Sequence, residues 1–277
     1  MQIDWERPLI QALRQALPRP AAEAPAADKK NYAERLSRAL AELTATALRS
    51  RKVFRSVTPT SDGKGHEVAT RVDGGKKKLD VRLLNDEIGL VFSASIKTYS
   101  FRDYSPKNGA FGRYQKNVVR NDMELRAEAD VVHRRQPYAV MAALFFMHEG
   151  ATTDGDNKHS SFAHAVFTLR KRSSRSSAQD ARFDRFEKVY IGLFNPDDIT
   201  DGTVGFFDVE QKPPRNGKPR NLLTLEAVVD ALDRLVKDRN EMIFEYADGE
   251  ELDAEVDLGA LTVDDLAGDL RDQTADE

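Results

Sequence analysis

The chain has 277 residues, 40% hydrophobic and 32% charged, which describes a folded globular protein with room for a sizeable core rather than a disordered one. It has no cysteine, which excludes disulfide scaffolds, thiolate zinc sites, iron–sulfur clusters and cysteine nucleophiles. The formal net charge of −4 is uneven: residues 241–277 hold fourteen Asp and Glu against one basic residue, Arg271, leaving 41 basic and 32 acidic residues, a net of +9, in 1–240. A basic body with an acidic end suits a protein that touches a polyanion, although the tail can equally be read as a solubilising end. The opening MQIDWERPLI lacks the pattern of a secretory signal, and the most apolar stretch, 138–147, is too short to span a bilayer as a helix. The expectation is a cytoplasmic protein with no membrane partner.

In chain order, residues 3–17 read as a short amphipathic helix, with Ile3, Leu9, Ile10, Leu13 and Leu17 at helical spacing. Residues 18–29 are rich in Pro and Ala and read as a linker, so the first helix is expected to be an appendage that docks on the body or on a partner. A domain over 30–240 and an acidic extension over 241–277 complete the expected organisation. From Asn31 a longer helix carries the apolar stripe Leu36, Leu40, Leu43, Ala47 and Leu48, and should end near Arg51. Residues 58–65 are turn chemistry. Two strands follow, at 78–84 and 89–99; the second sets Leu90, Phe92, Ala94 and Ile96 on one face and Ser93, Ser95 and Lys97 on the other.

Residues 103–116 read as a loop and 117–135 as a helix stopped by Pro137. The run 138–147 is a buried strand, with a buried helix as the alternative. Residues 161–172 fit helix or strand, 170–177 (RKRSSRSS) form a basic run, and 179–187 read as helix. KVYIGLF and TVGFFDV are strands. Residues 225–238 are an amphipathic helix with Thr224 as its N-cap, and a short helix is expected after Thr262.

The order of these elements places Asp80 early in one strand and Lys97 late in the next. An antiparallel hairpin would bring the two to the same end of a sheet. That pairing suits phosphodiester hydrolysis: a carboxylate holds Mg²⁺, which binds the phosphate and lowers the pKa of a bound water, while a lysine orients the water or stabilises developing charge.

Leu79-Asp80 and, after fourteen intervening residues, Ser95-Ile96-Lys97 resemble the motif of the PD-(D/E)XK nuclease superfamily, and of type II restriction endonucleases in particular. The resemblance spans about residues 30–147. It implies an α/β fold with a mixed central β-sheet flanked by helices, a restriction-endonuclease-like core. It also implies metal-dependent DNA cleavage with Mg²⁺ (or Mn²⁺), and a setting in bacterial restriction or anti-phage defence. Double-strand cutting, which often takes two active sites, implies a homodimer; a subunit whose helix over 3–17 docks onto a larger defence complex is a third reading. Leu79 stands where the motif has proline, and Ser95 stands where it has its second acid. In S-x-K relatives the lost carboxylate comes from the following helix, where this chain offers Glu124 and Glu128, one turn apart and on one face with Arg120. Both remain candidates. Glu67 is a further candidate acid, ranked above Glu34 because it adjoins the strand pair. The expected metal set is thus Asp80, Glu67 and Glu124 or Glu128, with Ser95 offering at most a hydrogen bond. A silent version of the same fold, binding DNA or assembling without cutting, is the alternative.

For DNA contact the chain offers Arg113, Lys116, Asn117, Arg120 and Asn121, interleaved with Phe111 and Tyr114, and secondly Lys171, Arg172 and Arg175. His133, His148, His159 and His164 lack zinc-site spacing, DGDN at 154–157 lacks the far glutamate of a calcium loop, and no phosphate-binding G-x-x-x-x-G-K-[ST] exists.

Overall fold

The structure is a computed structural model and describes residues 3–60, 64–65, 69–102, 104–105, 107, 109–115, 117–156 and 158–240. The chain divides into Met1–Asn240 and Glu241–Glu277, the second of which, with the helix expected after Thr262, lies outside the described residues. Five helices, α1 (Ile10–Ala16), α2 (Ala26–Leu48), α3 (Val118–Arg135), α4 (Ser161–Leu169) and α5 (Leu225–Arg239), accompany nine strands among the described residues. The strands are β1 (Ala69–Val72), β2 (Gly75–Lys78), β3 (Val81–Asn85), β4 (Gly89–Tyr99), β5 (Tyr104–Ser105), β6 (Ala110–Phe111), β7 (Val140–His148), β8 (Lys188–Phe194) and β9 (Val204–Asp208). β1–β2 and β5–β6 are separate hairpins.

The centre is a five-stranded mixed sheet in the order β3-β4-β7-β8-β9. β4, β7 and β8 run parallel, and antiparallel β3 and β9 close the edges. The fold is therefore the expected α/β class with helices on both sheet faces. The parallel strands are buried on both faces, so β7 reads as an unbroken apolar run; its strand form follows from pairing with β4 and β8. Its odd residues Met141, Ala143, Phe145 and Met147 join α3 (Leu125, Ala129, Val132) and α4 (Phe162, Ala165, Val166, Leu169) in one core. On the other face Phe146 meets Phe206 edge-on at 5.6 Å, Phe92 meets Phe54 at 5.0 Å, and α2 and α5 cover the layer. Residues 161–169 become helix, capped by Ser160 accepting from the Ala163 amide at 3.1 Å; Thr224 caps α5 in the same way.

Two sequence expectations change and a third is narrowed. Of the two places where the N-terminal helix could dock, it takes the body: Leu9, Ala12, Leu13 and Ala16 are buried, α1 packs on α2, and the Leu9 amide donates to the Gly202 carbonyl at 2.9 Å. Gly202 is at φ +61°, where a Cβ would also meet Ile10 at 2.3 Å, so this approach requires glycine. The expected linker is likewise tied down. Arg35 donates to the Ala16 and Pro18 carbonyls, which satisfies an orphan carbonyl at the end of α1, and α2 begins at Ala26, inside the Ala-rich stretch.

Residues 179–187 form turns rather than a helix. Asp180 accepts from the Ser176 and Arg182 amides and from the Arg182 guanidinium, a local alternative to helical bonding, and the Phe186 amide pairs with the Arg172 carbonyl. This segment delivers Glu187 to a buried cluster. One Glu187 oxygen accepts from Arg175 and Arg239 at 3.0 Å each, and the other accepts from the Met141 amide at 2.8 Å and lies 3.4 Å from His133. The cluster ties together α3, β7, β8 and α5. Both Arg175 and Glu187 side chains are fully buried, so losing one partner strands a charge. We expect Glu187→Ala to cost about 3–5 kcal/mol in denaturant-induced unfolding; a loss below about 1 kcal/mol would show that the two guanidiniums find water instead.

Candidate functional site

β3 and β4 pair with Val81 opposite Ala94, and Ser95, the next residue of β4, turns its side chain to Glu128 of α3. Asp80 precedes the first ladder residue of β3, and its carboxylate Oδ2 accepts from the Ile96 amide at 2.7 Å. The carboxylate thus takes the place of a ladder carbonyl and is fixed against β4 between Ser95 and Lys97. β4 continues past the end of β3, so Lys97 lies beyond the hairpin's paired region, and its ammonium is 3.3 Å from Glu124 Oε2.

α3 lies over this face because Leu125, Ala129 and Val132 are in the core beneath it. Its turns place Arg120, Glu124 and Glu128 one above another, the expected Arg-Glu-Glu face. Arg120 Nε donates to Glu124 Oε1 at 2.9 Å, Glu124 meets Lys97, and Glu128 accepts from the Ser95 hydroxyl. Of the two glutamates that the sequence leaves open, Glu128 is therefore the one seated over Ser95, and Glu124 is the one paired with Lys97. The second oxygen of Glu128 lies 3.4 Å from the Lys77 ammonium, which β2 brings in from the side.

The two glutamates differ electrostatically. Burial pushes the Glu128 carboxyl above its ordinary range; the Ser95 hydrogen bond and the charges of Lys77 and Lys97 oppose that shift, and Asp80 adds to it. Burial also pushes Glu124 upward, but the hydrogen bond from Arg120 and the charge and hydrogen bond of Lys97 outweigh it and hold the carboxyl below its ordinary value. The two carboxylates are held on adjacent residues of β4, Glu128 on the Ser95 hydroxyl and Asp80 on the Ile96 amide.

Among the described residues no group of three or more His, Asp or Glu side chains is arranged as a ready metal cage. The donor chemistry nonetheless fits a hard cation. Asp80, Glu128 and Ser95 are oxygen donors, and Mg²⁺ is commonly held by one or two carboxylates together with water and substrate phosphate. Glu67 lies outside the described residues. Glu34 is exposed on α2 and pairs with Lys30, apart from these residues.

The candidate DNA contacts divide. Arg120 is 74% exposed at the site's rim, Asn117 is an exposed helix N-cap, and Lys171 is exposed. Asn121 is turned inward to the Tyr99 hydroxyl. Arg113 is held by the His159 carbonyl and by Asp154 at 3.7 Å. Arg172 is sequestered between Asp122 and Asp184, and Arg175 is buried in the Glu187 cluster, so neither guanidinium is at the surface where a phosphate would meet it. The basic run at 170–177 spends these charges inside the fold. Lys116 lies outside the described residues. Sequence reasoning missed Lys77. The available signal was Asp73-Gly74 ahead of three lysines, a two-residue hairpin turn in which Gly74 takes φ +72°.

Comparison of the chain with protein-family models, with curated proteins and with solved structures finds no match in any of the three.

A carboxylate raised by burial lowers stability once it ionises, so that cost is present above the pKa of the unfolded chain and absent below it. We expect Glu128→Gln, which keeps an acceptor for Ser95, to raise the melting temperature at pH 8. A gain of about 2–4 °C is the shift that about 1 kcal/mol produces in a domain of this size. The gain should vanish near pH 4. A lower melting temperature at pH 8 would instead make Glu128 a net stabilising ion.

Proposed function

We propose that this protein is a metal-dependent DNA endonuclease whose chemistry is carried by Asp80, Ser95, Lys97 and Glu128. The carrying observation is the convergence of Asp80, fixed on the Ile96 amide, and Glu128, over Ser95, with a lysine two residues along the same strand. The reading is further supported by the likeness of the Asp80 and Ser95-Ile96-Lys97 motif to PD-(D/E)XK nucleases, by the mixed sheet, and by the net positive charge of 1–240. A place in restriction or anti-phage defence, and action as a homodimer or within a larger complex, belong to the same proposal. Among the described residues no helix is long and apolar enough to cross a membrane.

Asp80 and Glu128 would hold Mg²⁺ or Mn²⁺, and the ion would supply Lewis acidity toward the scissile phosphate and acidify a bound water. The remaining work falls to the chain. Ser95 holds the Glu128 carboxylate in place. The Ile96 amide does the same for Asp80, so the acid is oriented by backbone rather than by a mobile side chain. Lys97 stands where it can donate to a phosphate oxygen or to the attacking water as negative charge develops. Glu124 keeps the ammonium turned from the sheet toward α3, and Arg120 holds Glu124 in turn.

Asp80→Asn and Lys97→Ala should each lower plasmid cleavage in Mg²⁺ by on the order of 10²–10³-fold, the loss typical of removing one stabilising group, with duplex binding retained. Wild-type protein that binds duplex DNA but cleaves none in Mg²⁺ or Mn²⁺ would overturn the enzyme reading in favour of a binding or assembly module of the same fold.

A further inference from the structure

The β1–β2 hairpin has two chemically different faces, and the core explains only the inner one. Inward, Val72 is buried, the Asp73 amide donates to the Val131 carbonyl of α3 at 2.9 Å, and Arg82 donates to the Thr70 hydroxyl at 2.7 Å. Lys77 is directly opposite Thr70, so it shares the inner face and reaches Glu128. Outward stand Arg71, Lys76 and Lys78, all exposed, with Arg71 and Lys76 directly opposite each other. Like charges directly opposite on one sheet face repel, and among the described residues neither Arg71 nor Lys76 has an ion-pair partner. The arrangement lowers the hairpin's own stability, so its use has to be sought in what it attracts.

From this we infer that the outer face of the β1–β2 hairpin is a contact for the phosphate backbone of duplex DNA, set beside the site by Lys77. This rests on the reading of that site as a nuclease centre and adds the surface that holds its substrate. The hairpin is tied to α3 and to β3 at fixed points, so a phosphate gripped by Arg71 and Lys76 is held at a defined distance from Asp80 and Glu128. The inferred contact is to the backbone, where exposed Arg and Lys side chains supply the charge that phosphate binding needs whatever the sequence. The hairpin's only acid, Asp73, sits at the turn.

The test is the salt dependence of binding of a fluorescent 20-base-pair duplex, with EDTA present so that no cleavage intervenes. Each phosphate contact contributes about 0.9 to the slope of log K against log salt, so Arg71→Gln/Lys76→Gln should reduce the slope by about 1.8 and weaken binding. Because the pair is repulsive, the double variant should melt no lower than the wild type, which separates lost contacts from lost folding. A slope unchanged in the double variant overturns the inference, as does a wild type that binds no duplex. A wild type that binds, loses slope in the double variant and yet cleaves nothing in Mg²⁺ or Mn²⁺ leaves the hairpin contact standing and removes the nuclease reading alone.

Discussion

A carboxylate placed inside the protein is the constraint around which the site is arranged. Glu128 belongs to a helix whose neighbouring positions, Leu125, Ala129 and Val132, are core residues, so its side chain cannot swing out to water without moving the helix. The fold meets the resulting desolvation cost with one hydroxyl and with ammonium charge, and the balance still leaves the carboxyl above its ordinary range. Such a group is poorly explained as a stabilising ion. It is well suited to receiving a concentrated positive charge, because a low-dielectric setting strengthens the attraction and α3 has already fixed the geometry.

The Glu187 cluster makes the comparison within one molecule. Glu187 is as buried as Glu128, but two guanidiniums, a histidine and a backbone amide satisfy it, and these bonds outweigh burial so that its carboxyl lies below the ordinary range. The two acids meet α3 at neighbouring turns: Glu187 lies at its C-terminal end, near His133, and Glu128 faces Ser95 from five residues earlier on the helix. The well-satisfied cluster holds α3, β7, β8 and α5 in register, and this rigidity allows the under-satisfied one to persist. Strain or unmet charge survives only where the surrounding structure fixes it.

Much of the sheet and of α3 was legible in the sequence, and the reasons are specific. β4 alternates, α5 carries a broad apolar stripe with a threonine cap, and Pro137 ends α3, so each local signal agreed with its tertiary use. Asp80 and Lys97 were legible because a short antiparallel connection leaves few places for them to go. What failed was reading polarity as exposure. RKRSSRSS looks like a solvated basic run, yet Arg172 and Arg175 are drawn inward by Asp122, Asp184 and Glu187, acids distant in sequence whose approach no local pattern announces. The Ala/Pro stretch looked like a linker because small residues carry no periodic signal, and its tie to the body comes from Arg35, which reaches back to the Ala16 and Pro18 carbonyls. Lys77 was invisible for a different reason: its role depends on which face of a four-residue strand it occupies, and a one-residue slip would have placed Lys76 or Lys78 at Glu128 instead.

The serine at position 95 fits the carboxylate that α3 brings over it. A glutamate at Ser95 would project from the strand toward α3, into the space that Glu128 fills from the other side, and two buried carboxylates in van der Waals contact would each raise the other's pKa. One of the two positions must therefore be small and able to donate. With serine on the strand, the hydroxyl supplies the donor that orients the helix-borne acid, and the site keeps a single buried carboxylate beside Asp80. The cost is that its geometry depends on the helix–sheet distance as well as on strand pairing. That distance is set by the apolar residues of α3 and β7, so the chemistry of the site and the packing of the core cannot be varied independently.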